Sequence, residues 1–425
     1  MTTQDRLARI EVPLTLAIAV AAAGWAWYIQ VFQVFRYWDS DEYFLMAQQF
    51  AAAEPLTGAA PYAYRVLTPW LVAACCAADI QRGFLLVNVL SGIALSILLI
   101  YWLRHFVSRP GVRVVMAAAC ALQWLAPIRF AFYYPAYVDP LFQVFMVAAL
   151  IAGEHVISRP SIGAGLAYAL LIGVGTLARE TMLVVPTCAM IGGLQAHRQE
   201  AARRVGWAVL GLTAGIIAYV VARALIDPRG EYRFVDAIRL QLANKPLFSL
   251  PLAPFLAFGP MIALIAYGWR PTWEFLKRRL DLGALLALCV VLAYVGGTDT
   301  ERLLFWALPV VYLLIAQSIE RHYAVVSSAA VAGILIAGQL VAQRVLWAVP
   351  DPGTAVTPLS GVSGTLATLY AIANRVFVID DFHWNLWSNF GSRPFHLVQL
   401  GFYLAVSAAV VALMHRGSMR LTPSR

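Results

Sequence analysis

The sequence predicts an all-α, polytopic transmembrane helical bundle of about twelve spans, and three observations carry that expectation. Of 425 residues, 61% are hydrophobic and only 12% are charged. Apolar runs that reach or approach the length needed to cross roughly 30 Å of hydrocarbon recur along the whole chain. The basic residues, which bring the net charge to +9, fall in short clusters between those runs rather than on one face. That pattern suits topology signals and excludes nucleic acid as a partner. A soluble chain of this length would divide into two or three domains, whereas a membrane imposes one bundle, so residues 1–425 read as a single transmembrane domain.

Runs bounded by charges, Pro or Gly place the spans at 12–35, 83–103, 112–127, 140–157, 161–178, 181–196, 205–225, 251–268, 281–297, 303–319, 324–346 and 395–414. The first follows Arg6 and Arg9 but is too long for a signal-peptide core and lacks a cleavage site, so it reads as a retained span. With this alternation the clusters Arg6/Arg9, Arg104/Arg109/Arg113, Arg159, Arg198/Arg203/Arg204, Arg270/Lys277/Arg278/Arg279, Arg321 and Arg416/Arg420/Arg425 share one side. The positive-inside rule makes that side cytoplasmic, with both termini inside. Two further apolar segments are kept out of the membrane by the same rule. Residues 66–78 read as a short, partly buried outer helix, and a crossing at 361–379 would put Asp380 and Asp381 inside. The outer loops are then 36–82, 226–250 and 347–394, the last ending in the aromatic run Phe382-His383-Trp384-Asn385-Leu386-Trp387, which suits an interfacial belt or a cover over a site. The five cysteines sit in apolar surroundings without metal-ligand spacing and read as packing residues.

Nearly every remaining carboxylate lands on the outer side in this topology, and four clusters among them could carry chemistry. The first is Trp38-Asp39-Ser40-Asp41-Glu42-Tyr43 with Tyr64-Arg65 further on. Charge beside a membrane is costly, so three acids after the first span suggest an active-site loop: a carboxylate can act as general base toward a hydroxyl, and Arg can hold a phosphate. Tyr43, Ala47 and Phe50 then recur at helical spacing with Gln48 and Gln49 facing elsewhere, as in a short interfacial helix. The second is Tyr133-Tyr134-Pro135-Ala136-Tyr137-Val138-Asp139-Pro140, where Asp139 suits either a functional acid or an ordinary helix cap. The third is the tight corner Arg179-Glu180, and the fourth is Asp299-Thr300-Glu301-Arg302 after Gly296-Gly297. Both place ion-pair-capable residues between apolar runs, and at least one of Arg179 and Arg302 is expected to bind a phosphate. Asp39, Asp41 and Asp139 are the acids that could converge on a divalent cation, Mg²⁺ or Mn²⁺.

Together these motifs resemble the GT-C superfamily of integral-membrane glycosyltransferases. The resemblance implies transfer of a hexosyl or pentosyl group from a polyprenyl-phosphate-linked sugar donor to a glycan, lipid or protein acceptor. It implies inversion, on the extracytoplasmic face of a bacterial inner (plasma) membrane. A first-loop aspartate is then the catalytic base: Asp41 is preferred for its place beside Glu42 and Tyr43, with Asp39 second. Tyr64, Arg65, Tyr137, Asp139, Arg179, Glu180, Asp299, Glu301 and Arg302 would bind substrate. Two other classes fit the composition, a secondary transporter and a non-catalytic lipid or glycan assembly protein. Transporters place coupling charges near the midplane, whereas these clusters lie at span ends.

Overall fold

The computed structural model describes residues 3–29, 39–195, 198–230, 232–345, 388 and 393–421. Positions 36–38, Glu231, the segment 361–379, Asp351, Asp380, Asp381 and the aromatic run 382–387 lie outside the described residues.

The chain is a multi-pass helical membrane protein. Its helices in order are α1 (Thr3–Ile29), α2 (Asp39–Ala52), α3 (Leu67–Cys76), α4 (Ile80–Arg104), α5 (Pro110–Leu122), α6 (Pro127–Tyr133), α7 (Asp139–Ser158), α8 (Ile162–Ala178), α9 (Val184–Gly193) and α10 (Arg198–Leu225). They continue as α11 (Phe234–Asn244), α12 (Ser249–Phe258), α13 (Ala263–Tyr267), α14 (Trp269–Arg278), α15 (Leu280–Val295), α16 (Thr300–Leu304), α17 (Leu308–Arg321), α18 (Tyr323–Val326) and α19 (Ala329–Ala342), and the last helix is Arg393–Leu421. Among the described residues seven helical segments are long and apolar enough to cross a membrane, or eight if one bent pair is a single span. Shorter apolar helices occupy the predicted windows 161–178, 181–196, 281–297 and 324–346. Residues 66–78 hold only α3, ten residues long; at 1.5 Å per residue it cannot reach across.

The predicted span 251–268 is not straight. It bends by 105° between α12 and α13. Gly259 makes the corner at φ +70°, and a Cβ there would lie 2.2 Å from Gln339 Oε1. Pro260 removes the next backbone donor, so the helix stops for a local reason and the turn is locked by α19.

Helix α17 runs through the middle of the bundle, buried on every face from Leu308 to Ala316, as expected of a helix that is apolar all round. Trp102, Trp124, Phe130, Phe142 and Tyr312 pack in the same core. Helices α8 and α10, by contrast, leave Ile162, Leu166, Leu170, Ile216, Ile217 and Val220 exposed. In a membrane such a face meets lipid. At the end of the bundle that carries the predicted acidic clusters, a parallel pair of short strands, β1 (Thr57–Ala59) and β2 (Asp227–Arg229), ties the loop after α2 to the loop after α10, with Thr57 opposite Asp227.

Candidate active site

Helix α2 begins with three acids, which suits the positive N-terminal end of a helix dipole. Its buried stripe, Tyr43, Met46 and Ala47, packs on Val72, Ile80 and Phe84 of α3 and α4. That packing decides where the acids go. Asp39 turns into the bundle, buried, while Asp41, two residues or about 200° further round the helix, is exposed. The prediction for the glutamines is half right: Gln48 is exposed, but Gln49 is buried and its side chain bonds Thr57 twice, at 2.8 and 3.0 Å.

Around Asp39 the four sequence clusters come together. The Tyr134 hydroxyl donates to Asp39 Oδ1 at 2.5 Å. Burial first, and then the Asp39 charge, push that hydroxyl well above its ordinary range, so it stays a donor. Arg302 lies at the centre: Nη2 is 3.4 Å from Asp39 Oδ2, and Nε is 2.5 Å from Asp299 Oδ2 and 3.5 Å from Asp139 Oδ2. Arg179 donates to Asp139 Oδ1 and lays its guanidinium over the Trp306 ring, 4.4 Å from the centroid. Asp139 is the first residue of α7, yet its side chain caps nothing; Val138 holds the cap position. The capping alternative therefore gives way to an ion pair. Charges this deeply buried cost several kcal/mol each unless paired, and here each acid has an arginine.

A second pair steadies the wall. Arg65 donates to both Glu180 oxygens, at 2.8 and 2.5 Å, and to the Tyr43 hydroxyl at 2.8 Å. Burial by itself would raise the Glu180 carboxyl, but Arg65 overrides it and holds the group down at about 2. Glu42 points away from Asp39. It accepts from the Ala59 N–H at 2.8 Å and from Arg229 at 2.8 Å, so it fastens the strand pair and does not face the cluster.

Two adjoining cavities open here, sharing Pro61, Arg65, Arg179, Tyr232 and Gly296 in their walls. The smaller, of about 260 Å³, is lined by Asp39, Asp299 and Arg302. The larger, of about 660 Å³, is lined by Tyr64, Glu180, Tyr219, Arg223 and Trp306 among others.

Several expectations shift. Asp41, the preferred base, stands on the exposed side of α2 and lines neither cavity, because the apolar stripe that buries α2 selects the opposite face. Asp39, Asp41 and Asp139 do not converge as metal ligands: Arg302 lies against Asp39 and Asp139, and among the described residues no group of three or more His, Cys, Asp or Glu could hold a metal ion. Glu301 is fully buried but turns from the cluster to accept the Ser388 N–H at 2.7 Å, so one residue of the 347–394 loop returns against α16. Tyr137 is buried against Phe130 and Tyr134 and lines neither cavity. Neither Arg179 nor Arg302 stands open for a phosphate, since carboxylates already engage both. Sequence reasoning named Tyr134 within the second cluster but gave it no role, and did not single out Arg223 or Tyr232. In Tyr-Tyr-Pro-Ala-Tyr nothing local says which ring reaches an acid 95 residues upstream, as Tyr134 does.

Fold and site thus define a polytopic helical membrane protein with a buried carboxylate-arginine cluster open to two cavities at one end. No family model matches the sequence, and no curated protein matches it. Among solved structures it is similar to the oligosaccharyltransferase of Archaeoglobus fulgidus, crystallised with an acceptor peptide containing the NVT sequon tethered by a disulfide bond, at 12% identity and a TM-score of 0.48. The match covers 80% of this chain and 56% of that one, so the chain spans little more than half that protein's length.

Proposed function

We propose that the chain is a membrane glycosyltransferase that moves a sugar from a polyprenyl-phosphate donor to an acceptor hydroxyl on the extracytoplasmic side, with Asp39 as the general base. The observation that carries this reading is Asp39 itself, a buried carboxylate lining a cavity of about 260 Å³. Its Oδ1 is taken by Tyr134, and among the described residues its Oδ2 has only Arg302, at a long 3.4 Å. Oδ2 is therefore the atom with capacity left to accept a proton. Tyr134 and Arg302 fix the carboxylate's orientation, which is what general-base catalysis needs first.

In the proposed step an acceptor hydroxyl gives its proton to Asp39 Oδ2 as its oxygen bonds to the anomeric carbon of the sugar. The bond from that carbon to the phosphate oxygen breaks on the opposite face, its electron pair leaves with the polyprenyl phosphate, and the configuration inverts. Arg302 and Arg179 are positioning residues that hold Asp39, Asp139 and Asp299 in place. Cationic groups nearby favour the charge that develops on the departing phosphate.

The test is sugar transfer by the purified full chain from a polyprenyl-phosphate-linked sugar. Asp39→Asn should lower the rate about 10²–10⁴-fold, the usual contribution of a positioned base, with melting temperature within a few degrees of wild type, while Asp41→Asn should stay within about twofold because the exposed group touches neither cavity. Equal activity of wild type and Asp39→Asn would sink the assignment.

A further inference from the structure

The two cavities differ in sign. The smaller sets Asp39 and Asp299 against its arginines, whereas the walls of the larger carry four arginines, Arg65, Arg179, Arg223 and Arg233, and one carboxylate, Glu180. Within the larger cavity Arg65 is neutralised by Glu180 and Arg179 by Asp139. Arg223 is different. Its guanidinium carbon lies 5.2 Å from the ring centroid of Tyr64 and 5.8 Å from that of Tyr219, and those rings meet edge to face at 5.8 Å. It forms no ion pair among the described residues. A guanidinium shelved on two tyrosines keeps its fork of N–H donors for a ligand, and the fork matches phosphate geometry.

Position narrows the ligand's source. Arg223 sits in the last turn of α10, directly after the exposed apolar side chains Ile216, Ile217, Val220 and Val221, with exposed Leu225 beyond it. An apolar tail lying on that face would bring its headgroup to Arg223 at the mouth of the larger cavity.

We propose that Arg223, held by Tyr64 and Tyr219, binds the phosphate group of a lipid phosphate, a diester in the sugar donor and a monoester in the polyprenyl phosphate released, which makes the larger cavity the donor lobe and the smaller one the acceptor lobe. This rests on the glycosyltransferase reading for the name of the donor, but the anion site stands on its own geometry. It also moves phosphate recognition from the arginine-carboxylate corners to an arginine with no carboxylate partner among the described residues.

The experiment measures binding of a polyprenyl monophosphate, the same polyprenol without phosphate, and inorganic phosphate to the full chain in detergent. Wild type should bind the phosphorylated lipid about 10–100-fold more tightly than the alcohol, the worth of charge-assisted hydrogen bonds. Arg223→Ala should remove most of that difference at an unchanged melting temperature, and Arg223→Lys should restore only part. Undiminished preference for the phosphorylated lipid in folded Arg223→Ala overturns the site, as does absence of any preference in wild type. Competition by inorganic phosphate at concentrations equal to the lipid would overturn the lipid source. The two readings separate cleanly. Sugar transfer that persists in Arg223→Ala with unchanged donor KM removes this inference and leaves the transferase, whereas Arg223-dependent lipid binding in a wild type that transfers no sugar removes the transferase and leaves the anion site.

Discussion

Two buried charge clusters occupy opposite ends of the bundle, and they are built from the same residue types. At the basic end Glu11 of α1, itself buried, receives Arg104 at 2.6 Å and Arg113 at 2.8 Å, and Arg113 also donates to the Val107 and Ser108 carbonyls. Both Glu11 oxygens are used, at short distances, and Glu11 lines neither site cavity. At the acidic end Arg302 serves three aspartates, two of them at 3.4 and 3.5 Å, and Asp39 and Asp299 line a cavity. Burial of charge is thus common to both. What separates a clamp from a candidate site is unspent hydrogen-bonding capacity next to a space a ligand can enter.

The sharpest way to break this contrast is to remove one partner at each end. Glu11→Gln leaves Arg113 buried without its counter-charge and should destabilise the protein by about 3–5 kcal/mol, the usual cost of breaking a buried pair, with transfer per folded molecule unchanged. Detergent melting curves beside activity normalised to folded protein check both halves; a selective loss of activity would erase the distinction between the ends. A smaller effect, chosen to sharpen it, is Arg302→Lys. Lysine keeps the charge but is a point donor that cannot span Asp39, Asp139 and Asp299, so kcat per folded molecule should fall about 10–100-fold while stability falls by about 1–3 kcal/mol, the cost of leaving a buried polar group short of a partner. Full activity in that variant would mean the geometry of the acids does not matter. The smallest effect concerns the Arg65–Glu180 pair. Glu180 titrates at about 2 in the fold against an ordinary 4.5, so the pair adds stability above that ordinary value and loses it as pH falls toward 2. Between those pH values the melting temperature should drop more steeply in wild type than in Glu180→Gln. Parallel curves would show that the pair contributes nothing.

Much of this arrangement was legible in the sequence, because a bilayer allows few solutions. Apolar runs had to be helices that satisfy their own backbone and charges had to gather at their ends, whereas the three acids expected in a loop before a short helix form the first turn of α2 itself. The membrane class, the short α3, and the presence of Asp39, Arg65, Asp139, Arg179, Asp299 and Arg302 among residues worth attention all follow from that.

Pairing did not. Arg179 and Glu180 are neighbours in sequence, yet Arg179 binds Asp139 and Glu180 binds Arg65. Arg302 likewise turns to Asp299, Asp39 and Asp139 while Glu301 accepts from Ser388. Glu301 and Arg302 are adjacent in α16 and point about 100° apart, while Arg179 is extended just before the helical turn that Glu180 begins, so each charged dipeptide feeds two different surfaces. The choice of Asp39 over Asp41 has the same origin. Both sit in the first turn of α2, and only the packing of Tyr43, Met46 and Ala47 against α3 and α4 settles which of them faces Tyr134 and Arg302. Sequence determined which residues are chemically able to build the site; the helix rotations set by tertiary packing decided which of them meet.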